Sequence, residues 1–558
     1  MKANIALLPL DDRPVNYDYP SYLARAAGST LQLPPREWLG NPWRESQHAR
    51  LVNWLVQITA SVDAIILAVD SLAYGGLIPS RTSREPFDHV MEHLSVLRKI
   101  KSDRPDLTIL ASSVIQRISR ANSSEEERDY WAIYGSAMFR LSFLDHKISL
   151  GEASPEEGSE AVKLRKQIPS EVYDDYRQGR SRNHAVNQAM LDWLEEGILD
   201  YHLLPQDDTA DYGWNIAEAR SLQAKIRSRG LGECAITYPG ADEIGTLLLA
   251  SSLCRPAGLR LSVWPRYASV RSPNIITSYE DRPVHELLKA HLAPLDGHIS
   301  VSPESADLVL FFNAPCQVQG EGMYQWLVWR GLENLKQGVP DNMRGFFDQV
   351  VGDPVYQNTR REMESPHRNP EEFIRALMAE LDAERGMGHP VALADVAFVN
   401  GSDLILGNLL VKHPEITRLG AYGGWNTAGN TLGTVLAQAA VRVLGLNSEY
   451  DEKRLQAHLE FLFLRFLDDY YYQARERTLI MLEDLPVMGL PVTMERLVDP
   501  EKVSKVEDCV RKRLLRAASE LEEVFIRSGL VKQVRLSHIY LPWQRLFEVG
   551  FDVQVTLA

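Results

Sequence analysis

Cysteine is scarce: four occur in 558 residues (Cys234, Cys254, Cys316 and Cys509), widely spaced and with no CxxC pair. That excludes a disulfide framework and a zinc–thiolate site, and leaves the four as small buried apolar residues. No run reaches the roughly 18 apolar residues of a membrane span. The short apolar start, Met1 to Leu10, meets Asp11-Asp12-Arg13 without the cleavage pattern of a signal peptide. Positive charge is in deficit: 60 Lys and Arg against 75 Asp and Glu give a formal net charge of -15. Such a surface repels phosphate backbones and anionic membranes, so neither nucleic acid nor membrane is an expected partner. A cytoplasmic location is expected. GxGxxG, Walker A, HExxH and solenoid repeats are also missing, which weighs against dinucleotide, P-loop and zincin chemistry.

What is there is an α/β pattern. Continuous apolar runs, rather than alternating ones, indicate parallel strands covered on both faces. They fall at Ile5–Leu8, Ala64–Val69, Leu107–Ala111, Tyr201–Leu204, Ala235–Tyr238, Leu259–Trp264, Leu308–Phe312, Val391–Asp395 and Leu419–Tyr422. Helical segments separate them, for instance Gln47 to Ile58, and the face Phe87, Val90, Met91, Leu94 and Leu97 at 3.6-residue spacing. The order predicts a (β/α)8-like barrel with insertions over 1–445, with a polar helical insertion near 122–181. Nine strands is one too many for that barrel. The alternative is two consecutive parallel α/β domains dividing near 272–286. From 446 to 558 the pattern is mostly helical, on the faces Leu455, Leu459, Leu462, Phe466 and Val503, Val506, Val510, Leu514, before a strand-like tail at Phe551 to Leu557.

The chain is organised around Ala235 to Thr246. A β-rich run breaks at Pro239-Gly240, presents Asp242-Glu243, and enters the apolar segment Leu247 to Cys254. Acids between a strand end and a helix are where α/β enzymes place chemistry. Two solvated acids favoured by the helix dipole would give the same pattern. Other strand ends collect polar residues too: Asp11, Asp12 and Arg13; Asp70 and Tyr74; Asp207 and Asp208; Trp425 and Asn426. Several carboxylates on one face repel one another and call for a function or for cations. Tyr74, Tyr212, Trp214, Trp264 and Trp425 beside them suit either sugar stacking or the core.

Pro9-Leu10-Asp11-Asp12-Arg13-Pro14-Val15-Asn16, Asp70-Ser71-Leu72-Ala73-Tyr74-Gly75-Gly76, Gly240-Ala241-Asp242-Glu243 and Tyr422-Gly423-Gly424-Trp425-Asn426-Thr427 carry a resemblance. Across most of its length the chain resembles a bacterial family of formerly unknown function, itself similar to substrate-assisted β-N-acetylgalactosaminidases and β-N-acetylhexosaminidases. The resemblance implies a barrel enzyme in which the substrate's 2-acetamido oxygen attacks its own anomeric carbon. It implies Glu243 as general acid and then base, wanting a raised pKa. Asp242 would orient the acetamido group and stabilise the oxazolinium. Neighbouring side chains of a strand face opposite ways, so both acids serve one pocket only if the chain turns at Pro239-Gly240. Tyr238 or Tyr212 would steady the acetamido oxygen. Asp11, Asp12, Arg13, Asp70, Tyr74, Asp207 and Asp208 would bind sugar hydroxyls, with Trp425 and Asn426 near the non-reducing end. No cofactor or metal is expected, and the partner is a glycan with terminal β-N-acetylhexosamine. N-acetylgalactosamine and N-acetylglucosamine both stay open.

Two rival readings fit the same residues. Asp11, Asp12, Asp70, Asp207, Asp208 and Asp242 offer oxygen ligands for a Mg²⁺- or Mn²⁺-dependent hydrolase. A non-catalytic sugar-binding protein on a degenerate barrel would share the motifs without turnover.

Overall fold

The computed structural model describes residues 2–332, 341–387, 389–446 and 451–558. The chain divides into two compact units: Met1–Pro20, Ser29–Ser252 and Tyr279–Asp281 in the first; Ser21–Gly28, Leu253–Ser278 and Arg282–Ala558 in the second.

The first unit holds six parallel strands: β1 (Asn4–Leu8), β2 (Thr30–Gln32), β3 (Ala64–Ala68), β4 (Thr108–Ser112), β5 (Tyr201–Gln206) and β6 (Ala235–Pro239). Their order is β2-β1-β3-β4-β5-β6. Every residue of β3 and β5 is buried, as continuous apolar runs demand. The helices His48–Ile58, Phe87–Leu94 and Val96–Asp103 lay Leu51, Leu55, Val90, Leu94, Leu97 and Ile100 on the core around β1 and β3. Between β4 and β5 stand three helices, Trp131–Ser149, Pro155–Gln167 and Ser170–Glu195. The middle one starts with a capping box: Ser154 Oγ accepts from the Glu157 N–H, and the Glu157 carboxylate accepts from the Ser154 N–H. Trp131, Leu141 and Tyr176 of this insertion share a small core with Trp214, which opens the helix after β5.

The second unit holds β7 (Ser262–Tyr267), β8 (His298–Ile299), β9 (Leu308–Asn313), β10 (Gly320–Glu321), β11 (Val391–Asp395), β12 (Phe398–Val399), β13 (Ala421–Gly423), β14 (Val531–Tyr540) and β15 (Gly550–Leu557). Five make a parallel sheet, β13-β11-β9-β7-β8; β10 pairs with β12, and β14 with β15 in an antiparallel hairpin. The helix Glu452–Arg465 runs into a π-helical stretch, Phe466–Glu476. The helix Pro500–Arg527 starts at Asp499, whose carboxylate accepts from the Glu501 N–H at 3.0 Å, and buries Val503, Val506, Val510 and Leu514.

All nine expected strands exist, as β1, β3 to β7, β9, β11 and β13, and the class is α/β with parallel sheets. The single closed ring is not found among the described residues: the nine strands belong to two sheets. That removes the difficulty of the ninth strand, because continuous apolar runs report burial on both faces and carry no information on which strand is whose neighbour.

Candidate functional site

The first sheet is strongly curled. In a flat sheet, β1 and β6 would lie four spacings, roughly 19 Å, apart. Yet Arg13, just after β1, donates from Nη2 to Asp242 Oδ1 at 2.5 Å and from Nη1 to Oδ2 at 3.3 Å. A Cβ on Gly245 would stand 3.7 Å from the Leu7 side chain of β1, so the helix Ile244–Cys254 also packs back towards the first strand. Strand ends that are distant in hydrogen-bonded order thereby share one place.

At that place Asp11, Arg13, Asn16 and Asp242 form one buried network. Arg13 also donates to Asp11 Oδ2 from Nε (2.9 Å) and Nη2 (2.7 Å), so one guanidinium bridges two carboxylates. Asn16 Nδ2 donates to Asp11 Oδ1 at 2.9 Å and to Asp242 Oδ1 at 3.4 Å. Burial pushes the Asp242 carboxyl up, Arg13 pulls against the rise, and Asp11 adds to it.

Glu243 is 0% exposed and Asp242 5% exposed, so the pair is not a solvated helix cap. β6 ends at Pro239; Gly240 follows with φ +135°, and the acids sit in the turn before Ile244–Cys254. The chain therefore turns where the sequence suggested. Gly240 is required twice over. Its φ suits glycine, and a Cβ there would lie 2.4 Å from Glu243 Oε1. Tyr238 is buried beside the pair; burial raises its pKa, and the Glu243 charge raises it further.

The other expected residues divide. Asp70 is buried after β3 and accepts from the Val114 N–H at 2.9 Å and from Gln116 Nε2 at 3.2 Å. Burial pushes its pKa up to about 7. Asp207 accepts from Arg81 at 2.5 Å. Asp208 accepts from Arg117 at 3.4 Å; burial and then Asp207 push it up to about 6. Glu126 and Glu127 complete this arginine–carboxylate cluster, with Arg81 and Arg117 each reaching both. A small cavity opens there, lined by Arg81, Gln116, Arg117, Glu127 and Arg180.

Five residues point elsewhere. Asp12 accepts from Arg44 (2.8 Å) and Asn41 (3.1 Å) rather than joining Asp11. Tyr74 carries the Arg182 guanidinium over its ring and packs on the core. Tyr212 donates to Glu152 at 2.5 Å and meets Phe143 edge-on, on the insertion's side. Trp425 and Asn426 belong to the second unit, where Trp425 is buried against Phe547.

The second unit has its own buried polar ends. Asn313, the last residue of β9, donates to Asp395, the last of β11, at 2.8 Å and to Asp403 at 3.2 Å. Arg368 pairs with Asp403, and burial pushes Asp395 up to about 7. After β13, the Gly424 N–H donates to Asp469 at 2.6 Å, and Arg465 pairs with Asp469 at 2.6 Å. A Cβ on Gly424 would lie 2.0 Å from Ser402 Oγ.

Sequence reasoning named neither Asn16, Arg81 and Arg117 nor Arg368, Asp403, Arg465 and Asp469 as site residues. Asn16 closes the first quoted motif and Asp395 ends an expected strand. The arginines lie inside helices and loops whose pattern gives no sign of an inward charge.

A family model described as a protein of unknown function (DUF4127) matches residues 5–552. The chain belongs to this family. No curated protein and no solved structure matches it. Among the described residues, no helix is long and apolar enough to cross a membrane.

Proposed function

We propose that this member of the DUF4127 family is a glycoside hydrolase that releases β-linked N-acetylgalactosamine or another N-acetylhexosamine by substrate-assisted catalysis with retention. One observation carries the reading. Asp242 and Glu243 are adjacent, both buried, and turned out of β6 at Gly240, with the Arg13 guanidinium hydrogen-bonded to Asp242.

Two adjacent buried carboxyls suit a division of labour. Asp242 accepts the acetamido N–H and aims its carbonyl oxygen at the anomeric carbon. The trio Asp11, Arg13 and Asp242 has one carboxylate more than it has cations, which favours a cationic oxazolinium. Glu243 protonates the leaving oxygen, then takes a proton from the water that opens the oxazolinium. Tyr238 beside Glu243 steadies the acetamido group. The barrel geometry of the resembling glycosidases belongs to this proposal, and the curl that joins the ends of β1 and β6 supports it.

Against the Mg²⁺ or Mn²⁺ rival, Asp12, Asp207, Asp208 and Asp242 each turn to an arginine, and Asp70 to amides. Oxygen ligands held by guanidinium groups are poor candidates for a divalent cation.

The test is nitrophenol release from para-nitrophenyl β-N-acetylgalactosaminide and its glucosamine epimer, with wild type, Asp242→Asn and Glu243→Gln, each with and without EDTA. EDTA-resistant turnover that collapses in both variants supports the acid pair, and the epimer ratio names the sugar. Activity that survives both substitutions, or none on either substrate, overturns it. Tight glycan binding without turnover would support a non-catalytic sugar-binding protein instead.

A further inference from the structure

Fourteen histidines are spread over 558 residues, and three of them meet at one spot in the first unit. His89 and His93 lie one turn apart on the helix Phe87–Leu94, with ring centroids 4.8 Å apart. His48, which opens the helix His48–Ile58, brings its ring centroid to 4.0 Å from that of His93. Glu85, two residues before Phe87, turns its carboxylate to both helix histidines, at 3.9 Å from His89 Nδ1 and 3.7 Å from His93 Nδ1. One ligand atom from each of Glu85, His89 and His93 lies within 4.8 Å of the other two.

The surroundings hold this group in place. His93 Nδ1 lies 3.1 Å from the Ala73 carbonyl oxygen, and the His48 ring donates to the backbone of the preceding residue, Leu72. In the tautomer that donates from Nδ1 to the Ala73 carbonyl, His93 keeps its lone pair on Nε2 as the ligand atom, and the His48 ring likewise keeps one nitrogen open, the arrangement that orients metal-binding histidines. The buried Arg182 donates to the Glu85 carbonyl at 3.0 Å and so fixes the backbone that carries the carboxylate. Among the described residues, no group donates a hydrogen bond to the shielded Oε2 of Glu85.

We propose that Glu85, His89 and His93, with His48 as a fourth ligand, bind one divalent transition-metal ion of the zinc class. Two or three imidazoles and one carboxylate suit Zn²⁺ and its neighbours rather than Mg²⁺ or Ca²⁺, which prefer all-oxygen sets. With metal–nitrogen bonds of about 2.0–2.1 Å, tetrahedral ligand atoms lie roughly 3.3–3.5 Å apart. The present 4.8 Å limit closes by rotation of His89, whose side chain is half exposed. None of the four belongs to the acid network of Asp11, Arg13 and Asp242, so the inference does not rest on the hydrolase reading.

The experiment is calorimetric titration of Zn²⁺ into chelator-treated full-length protein, wild type beside His89→Ala/His93→Ala and Glu85→Gln, with the visible absorption of bound Co²⁺ as a second readout. Wild type is expected to take one Zn²⁺ per chain and to give the intense visible bands of a four-coordinate nitrogen–oxygen site. The double variant should bind at least tenfold more weakly and lose the bands. Glu85→Gln, which leaves the helix untouched, should fall between, and keeps the test decisive if the double variant folds poorly. The absence of saturable binding in wild type, or equal affinity in wild type and Glu85→Gln together with an unchanged Co²⁺ spectrum, overturns the proposal.

Discussion

Arg13 bonds both oxygens of Asp242, 229 positions away in sequence, while its Nε and Nη2 also bond Asp11. The guanidinium lies between two buried carboxylates, and it ties the end of the first strand to the end of the sixth.

Arg13→Ala leaves Asp11 and Asp242 buried around an empty position. Removing one partner of a buried pair costs about 3–5 kcal/mol, and urea denaturation should show a loss of that size. The double variant Arg13→Ala/Asp242→Asn should recover part of it, because one of the stranded charges is gone. Equal stabilities of the single and double variants would mean that the pair is not coupled.

Gly240→Ala should abolish turnover on the nitrophenyl substrates while the protein still folds. The new methyl group would need the space of the Glu243 carboxylate, 2.4 Å from Oε1, and a backbone at φ +135°. Folding is followed by circular dichroism; full activity in the folded variant would place Glu243 outside the chemistry.

Stability should fall as pH rises from about 4 to about 7. Burial raises Asp70 to about 7 from an ordinary 3.8. Between those values the folded chain holds a proton that the unfolded chain has released, so raising the pH favours unfolding. Asp395, also pushed up by burial to about 7, acts in the same window. Asp70→Asn should flatten the slope of the urea midpoint against pH; an unchanged slope would exclude Asp70 as its source.

In the second unit, Arg465→Met should destabilise the fold more than Asp469→Asn does. The first leaves a fully buried carboxylate with its cation gone, whereas the second keeps an amide oxygen to accept from the Gly424 N–H. Thermal midpoints of the two variants, side by side, decide it; the reverse order would show that Arg465 contributes little.

The sequence made the strands of both sheets readable, because each is a run of buried apolar residues ended by a turn. The short β2 and β8, exposed or half-buried along their lengths, offer no such run. Pairing order was not readable. Neither was the curl that brings Arg13 to Asp242, since it arises from the twist of six strands together and from no local pattern. Asp242 and Glu243 were legible as a pair from the strand, the Pro239-Gly240 break and the helix beyond. The partners of Asp207 and Asp208 were not: Arg81 and Arg117 sit in segments whose polar residues read as solvent-facing. Asp12 and Tyr212 have the right neighbours in sequence but are drawn away by Arg44 and Glu152.

The second unit takes in Ser21–Gly28 together with the end of the chain. There the Val553 N–H donates to the Tyr22 hydroxyl at 2.9 Å, and Arg25 pairs with Glu460 at 2.6 Å. A ribosome adds roughly 5–20 residues per second, so Tyr22 waits about half a minute to nearly two minutes for Val553 to be made. During synthesis those first residues have no permanent berth, and the nascent chain must keep them soluble until its last strand arrives.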